Sequence, residues 1–205
     1  MNILTSEEEN LLNSINESYG RIAKTFSTNF VFENTIEIIE KFIKSNTDFQ
    51  NLDYDTQKLL LSWSIPEIIV VHYAILLSGI NQESNEIEYS KDMMKTIFGE
   101  ENYSKLHQIA NELLKIFEEN QLVLKIVLLV VVFEPENDFI LRKLKNSNEI
   151  IKIRAINFKY MNLLFKFLTT YHDDPENYLK FSRFVQQLRE TYNLSYAIRH
   201  KFLKS

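Results

Sequence analysis

Apolar residues recur at intervals of three and four along most of this chain, the spacing that gathers them on one face of an α-helix. The first such segment follows the capping-box pattern Thr5-x-x-Glu8 and carries its apolar face from Leu11 to Ala23. A second apolar face runs from Phe32 to Ile43. Both segments are predicted to be amphipathic helices.

Polar turns and one proline divide the next part of the pattern. A polar turn over 45–48 precedes a long apolar segment, for which Asp53 or Asp55 is the predicted cap. Pro66 has no N–H to donate, so we expect the helix to be interrupted or kinked there. The capping-box pattern Ser64-x-x-Glu67 then predicts a restart over 65–77. The polar segment 79–89 is predicted to be a loop.

The run from Leu122 to Phe133 is almost continuously apolar, and its periodicity does not decide between helix and strand. Its valines and isoleucines favour a strand, but no partner strand is visible elsewhere in the chain. We therefore predict a buried helix. The run has about a dozen residues and contains Lys125, against roughly 20 apolar residues for a membrane span, so no membrane segment is expected.

The remaining helices are predicted from caps and stops. Ser90 caps a segment that ends at Gly99, and another helix covers 103–117. Ser147 or Asn148 begins the next, and Pro175 occupies the first position of a last helix that reaches Tyr192 or Phe202. With only three glycines and three prolines, the chain has few breakers for the turns of an all-β fold. The prediction is an all-α fold of roughly ten helices.

Composition narrows the class of protein further. A chain of 205 residues with 45% hydrophobic content is long enough for one sizeable core, so 1–205 is predicted to be a single domain. A net charge of -5 gives little attraction to a phosphate backbone, and direct nucleic-acid binding is not expected. The absence of cysteine excludes disulfides and a cysteine-based zinc module within this sequence. The amino-terminal residues lack the pattern of a secretory signal, and an intracellular protein is expected.

The segment from Phe42 to Glu67 carries the most specific motif of the chain. It reads Phe-Ile-Lys at 42–44, a short turn ending in Phe49, then Leu52, Thr56-Gln57, a leucine run and Glu67. In this order, and without a gap, it resembles the signature of nuclear receptor ligand-binding domains. Weaker similarities to the vitamin D receptor-like group of that family cover 4–26, 124–136 and 181–194.

The resemblance implies a three-layer antiparallel helical sandwich in a nuclear transcription regulator that binds a small lipophilic ligand, coregulators and a dimer partner. The ligand pocket that it implies is lined by Phe32, Thr35, Ile36, Ile39, Ile69, His72 and Tyr73. Thr35 and His72 match positions that bind one ligand hydroxyl in vitamin D receptors. From the residues alone, an equal alternative is that His72 bonds a backbone carbonyl in an ordinary core.

The resemblance also implies a groove for a coactivator helix. Lys44 occupies the position of the lysine that clamps the carboxy-terminal carbonyls of that helix in such receptors. Glu40 and Lys58 stand where aliphatic residues are usual, and Ser62 replaces a second clamp lysine, so a weakened groove is expected. The terminal activation helix is expected to be absent, because only two residues follow Leu203.

Two functional hypotheses follow. In the first, the chain is a ligand-binding regulatory domain of a nuclear receptor-like transcription factor. In the second, it is a ligand-independent interaction module that forms a homodimer or a retinoid X receptor-type heterodimer. In both cases the predicted dimer surface on the tenth helix consists of Phe184, Gln187, Leu188 and Thr191.

Catalysis and metal binding have weaker support. The pattern His172-Asp173-Asp174-x-Glu176 could coordinate a divalent metal, and an acidic pair in an all-α chain also occurs in prenyl-chain synthases. A helix cap followed by Pro175 explains the same residues. No cysteine nucleophile or glycine-rich phosphate loop is present. No catalytic residue, metal or cofactor is therefore predicted.

Overall fold

Helices form every regular element in the residues that the computed structural model describes, which are 4–25, 32–79, 91–92, 94–96, 98–134, 142–144, 146–170 and 175–202. No strand occurs within these ranges, and the predicted all-α class is confirmed. The main helices are α1 (Ser6–Thr25), α2 (Phe32–Ser45), α3 (Thr47–Gln50), α4 (Tyr54–Gly79), α5 (Glu100–Phe117), α6 (Gln121–Val132), α7 (Ser147–Thr170) and α8 (Pro175–Phe202). Gly79, the first residue of the predicted loop over 79–89, is the last residue of α4. Residues 80–89, the cap at Ser90 and the cap at Asp174 lie outside the described residues.

Side-chain caps set the starts of the first helix and of the long central helix. The backbone N–H of Thr5 donates to Glu8 Oε2 at 2.8 Å, and the N–H of Glu8 donates to Thr5 Oγ1 at 3.2 Å, which is the predicted capping box. At α4, Asp53 Oδ1 accepts the N–H of Thr56 at 2.7 Å. Asp53, and not Asp55, is therefore the cap.

The predicted interruption at Pro66 is wrong, because α4 is one helix from Tyr54 to Gly79. Ser64 does not cap a restart, since its hydroxyl donates to the backbone oxygen of Val132 on α6, 3.5 Å away. A proline inside a helix costs about 3 kcal/mol. Apolar residues buried over 68–75 each contribute about 1.5–3 kcal/mol. Tertiary packing therefore outweighs the missing backbone hydrogen bond.

The core is built around α4 and α6, which pack on each other. All residues of α6 from Val123 to Val132 are buried, and the prediction of a buried helix rather than a strand is confirmed. α1 packs on α2 and α6, α5 packs on α4 and α8, and α7 packs on α6 and α8. The apolar composition of α6 thus reflects burial on all sides.

α4 also has the length and hydropathy of a membrane-spanning helix. In this fold 61% of its most apolar window is buried by other helices. Burial by protein accounts for that composition, since the central helix of a protein core is as apolar as a membrane span.

Candidate functional site

The segment that carries the sequence motif folds into a groove between α2 and α4. α2 contributes Ile36, Ile39, Glu40, Ile43 and Lys44. α4 contributes Tyr54, Gln57, Lys58, Leu61, Ser62, Ile65, Ile68 and Ile69. Both sets follow the three-and-four spacing of one helix face, so each helix presents a continuous wall. The groove has a volume of about 360 Å³.

The floor of this groove is apolar and its rim is polar. Ile39, Ile43, Ile68 and Ile69 are buried beneath it. Ile65 is 39% exposed, which leaves part of its apolar surface open to a partner. The polar and charged side chains of the lining are Glu40, Lys44, Tyr54, Gln57, Lys58 and Ser62. The groove is therefore shaped for an apolar side chain inserted between two polar margins.

Most of the polar groups at the rim are already bonded within the protein. The ammonium of Lys44 donates to the carboxylate of Glu40, one helical turn before it. Gln57 Nε2 donates to the backbone oxygens of Leu52 at 2.8 Å and Gln50 at 3.3 Å. These bonds fix the start of α4 against the turn that follows α2.

Ser62, the remaining polar side chain in the middle of the groove, is likewise bonded internally, since its hydroxyl donates to the backbone oxygen of Leu59 at 3.0 Å. Two polar side chains that line the groove have no hydrogen bond or ion pair to any described residue: Tyr54, which is 76% exposed, and Lys58. They lie one turn apart on α4.

A second network holds the turn between α2 and α4. Asn46 caps α3 by accepting the N–H of Phe49 at 3.1 Å, and its amide donates to the Tyr160 hydroxyl at 2.7 Å. Tyr160 in turn donates to Asp48 at 2.7 Å, and Lys159 pairs with the same carboxylate at 2.8 Å. Burial raises the pKa of the Tyr160 phenol. α7 therefore fixes the position of the turn on which the groove depends.

The structure brings together all four predicted groove residues, Glu40, Lys44, Lys58 and Ser62. Three residues of the predicted ligand pocket, Ile36, Ile39 and Ile69, also line this groove. The prediction missed Ile43, Tyr54, Gln57, Leu61, Ile65 and Ile68. The regular spacing of the five that lie on α4 was the signal that could have found them, and Ile43 continues the apolar face of α2.

His72, the polar centre of the predicted ligand pocket, lies in the interior beside α1. It is 1% exposed, and its Nδ1 shares a hydrogen bond of 3.0 Å with the Tyr19 hydroxyl. Its Nε2 is buried with no hydrogen-bond partner among the described residues. Burial lowers the pKa of His72 to about 3, because the charged imidazolium would lose its hydration. The ring is therefore neutral at pH 7.

Tyr19 occupies the space next to His72. Its ring packs edge-on against the Phe42 ring, with 5.3 Å between the two ring centres, and the ammonium of Lys125 lies 5.0 Å from the Tyr19 ring centre. Lys125 also donates to Asn16 Oδ1 at 2.8 Å. The aromatic ring of Tyr19 from α1 thus packs beside His72, where the prediction placed a polar ligand group.

Tyr73, another residue of the predicted pocket, contacts α5. The Tyr73 hydroxyl contacts Tyr103 at 3.4 Å and His107 Nδ1 at 3.3 Å, both on α5. The side chains of Phe32 and Thr35 lie outside the described residues. A convergence of Thr35 and His72 on one ligand group therefore stays a prediction.

The structure places three of the four residues of the predicted dimer surface inside the single chain. Phe184, Leu188 and Thr191 are buried, and the Phe184 ring packs on Phe117 of α5 at 5.4 Å. Their helical spacing marks the face that α8 turns towards its own core. Only Gln187 remains partly exposed, at a cleft between α5 and α8. A dimer using α8 as it lies here needs its outer face, which carries Val185 and Tyr196.

No cluster of three or more metal-binding side chains occurs among the described residues. His172, Asp173 and Asp174 of the alternative acidic motif lie outside them. Neither a model of a known protein family nor a curated protein sequence matches the chain. The relation to nuclear receptors therefore stays a prediction from the motif.

Proposed function

We propose that this chain is the regulatory domain of a nuclear receptor-like transcription factor and that it docks an amphipathic helix of a coregulator between α2 and α4. The observation that carries the proposal is the isoleucine-floored groove, in which Glu40, Lys44, Lys58 and Ser62 come together. Those four positions are the ones that the family resemblance assigns to a helix-binding surface. The packing of α4 and α6 among the other helices supports the finer prediction of a three-layer sandwich.

The physical basis is the burial of apolar side chains from the incoming helix. Residues at i, i+3 and i+4 of an amphipathic helix project to the same side and can enter one groove. Each leucine removed from water contributes about 1.5–3 kcal/mol, and loss of freedom on association offsets several kcal/mol of the total. A dissociation constant on the order of micromolar is expected.

A matched pair of variants tests the docking site. The probe is a fluorescent amphipathic peptide of about 15 residues with leucines at i, i+3 and i+4, followed by anisotropy. Ile65→Arg, at a groove position that is 39% exposed, should weaken binding at least about tenfold without unfolding the protein. Ile151→Arg, at a position on α7 that is 64% exposed, is the control and should change binding less than about twofold. Equal effects of the two variants would remove the groove from the proposal.

The second candidate keeps the ligand-independent interaction module but gives it this groove in place of the predicted dimer surface. The specific observation in its favour is the Tyr19–His72 hydrogen bond of 3.0 Å, which fills the space beside the predicted polar contact for a ligand. In the first candidate, a fatty acid or sterol raises the melting temperature and alters peptide affinity. In the second, peptide binding is present and neither lipid class changes it.

A further inference from the structure

The polar groups in the groove define the chemistry of the helix that fits it. The charges of Glu40 and Lys44 neutralise each other. The side-chain donors of Gln57 and Ser62 are hydrogen-bonded to backbone oxygens. Within the described part of the chain, Lys58 and Tyr54 are left as donors without an acceptor. The lining therefore presents one unneutralised positive charge and one phenolic O–H over an apolar floor.

Tyr54 and Lys58 lie at i and i+4 of α4, so their side chains project on the same side, with about 5–6 Å between their Cβ atoms. An ammonium and a phenolic hydroxyl at that separation can both donate to the oxygens of one carboxylate. A partner amide or hydroxyl would accept at most a neutral hydrogen bond there. A partner lysine or arginine would meet Lys58 with the same charge.

We propose that the groove selects amphipathic helices that carry an aspartate or glutamate beside their apolar face, and that Tyr54 and Lys58 bind this carboxylate. The inference rests on the proposed function and specifies its partner. It also revises the role of Lys44, because the charge of Lys44 is paired with Glu40. Lys58 is then the cation that binds the carboxylate of the partner. The chain has a net charge of -5, and the groove is a local exception that counters repulsion of an acidic helix.

Selection from a peptide library tests this without knowledge of the natural partner. The library displays helices with leucines fixed at i, i+3 and i+4 and all flanking positions random. Peptides bound by the wild-type protein should be enriched in Asp and Glu at one flanking position. The Lys58→Glu variant should lose that enrichment and favour Lys or Arg there, because the charge that it presents is reversed.

A double-mutant cycle then measures the contact. With the best peptide, replacing its carboxylate residue by Gln or Asn should weaken binding about three- to tenfold. The same peptide change should have no effect on Lys58→Met and a reduced effect on Tyr54→Phe. The matched control is Lys115→Met, which should leave the cycle unchanged. Lys115 is an exposed lysine on α5 that pairs with Glu112.

The outcomes separate the inference from the proposed function. If no peptide in the library binds the wild type better than it binds Ile65→Arg, both the proposed function and the carboxylate contact are overturned. Peptides that bind in the groove without acidic enrichment, and with equal affinity for wild type and Lys58→Met, would overturn only the carboxylate contact. If acidic enrichment persists in Lys58→Met but is lost in Lys44→Met, Lys44 is the residue that binds the carboxylate. That result would also overturn the carboxylate contact proposed for Lys58.

Discussion

Arg199 Nη2 lies 2.6 Å from Oε1 of Glu67 in the interior, and it ties the carboxy-terminal part of α8 to α4 one residue beyond Pro66. The guanidinium also stacks over the Trp63 ring, 4.3 Å from its centre, and donates to the Trp63 backbone oxygen. Burial raises the pKa of Glu67, and the positive charge of Arg199 opposes this rise. Burial of the charged Glu67 carboxylate therefore depends on its ion pair with Arg199.

The first prediction is that Arg199→Met destabilises the protein by about 3–5 kcal/mol, because it leaves a buried carboxylate without a partner. Urea unfolding at pH 7 measures this. The double variant Glu67→Gln/Arg199→Met should be more stable than Arg199→Met alone. As a control, Lys105→Met breaks the exposed pair with Glu101 and should cost less than about 1 kcal/mol. A loss of that small size in Arg199→Met would contradict the account of this pair.

The second prediction concerns pH and follows from His72, whose pKa falls from 6.5 to about 3 on folding. Between these values the unfolded chain binds a proton that the folded chain excludes. Stability is therefore full above pH 6.5 and decreases as the pH falls, by at most about 1.4 kcal/mol per unit from this group.

The variant His72→Asn isolates that contribution, because its amide can keep a hydrogen bond to Tyr19 and does not titrate. Urea unfolding between pH 7 and pH 4 should give a flatter dependence for His72→Asn than for wild type. His107, whose pKa is also lowered by burial, is present in both proteins and cancels. Parallel curves for the two proteins would show that His72 is not buried as described.

The third prediction separates two glycines by their backbone conformations. Gly20 lies inside α1, and a Cβ added there meets nothing within 4 Å. Gly20→Ala should therefore stabilise the protein by up to about 1 kcal/mol. Gly99 precedes α5 with φ of 80°, a conformation that strains an alanine, so Gly99→Ala should destabilise by about 1–3 kcal/mol. Thermal unfolding distinguishes them, and a shift of the same sign in both would contradict the assignment.

The fourth prediction is that Lys125→Met is neutral or stabilising by up to about 2 kcal/mol. Lys125 is 5% exposed, and its ammonium has an amide oxygen and an aromatic ring as described partners but no carboxylate. Desolvation lowers its pKa, which shows the cost of keeping it charged. Chemical unfolding at pH 7 measures the change, and a clear loss of stability would assign Lys125 a structural role instead.

Local patterns predicted the helices well where the chain alone determines them. The capping box at Thr5 and Glu8, the first-position proline at 175 and the stop before Gly99 all act within one helical turn. The helix interruption at Pro66 was mispredicted because its effect depends on α6, which is distant in sequence and buries the same helix. The burial of the predicted dimer-surface residues within the chain was not foreseen for a related reason, since an apolar stripe such as Phe184 and Leu188 does not reveal whether it faces its own core or a second chain.

The candidate site was predicted in part. The motif placed Glu40, Lys44, Lys58 and Ser62 on one surface, and the structure brings them together. The ion pair between Glu40 and Lys44 could not be predicted from the motif, because it depends on side-chain conformation. The interior around His72 depended even more on tertiary structure, since Tyr19 reaches it from 53 positions away in the sequence.

The most direct test of the α2–α4 groove as a helix-docking site is an isoleucine methyl NMR titration with the leucine-bearing peptide. Ile36, Ile39, Ile43, Ile65, Ile68 and Ile69 all line the groove, and Ile109, Ile151 and Ile153 do not. We predict chemical-shift changes that saturate together in the groove methyl groups and leave the other three unchanged. Saturable shifts confined to isoleucines outside the groove, or no shifts at peptide concentrations that saturate the anisotropy signal, would contradict the proposed function.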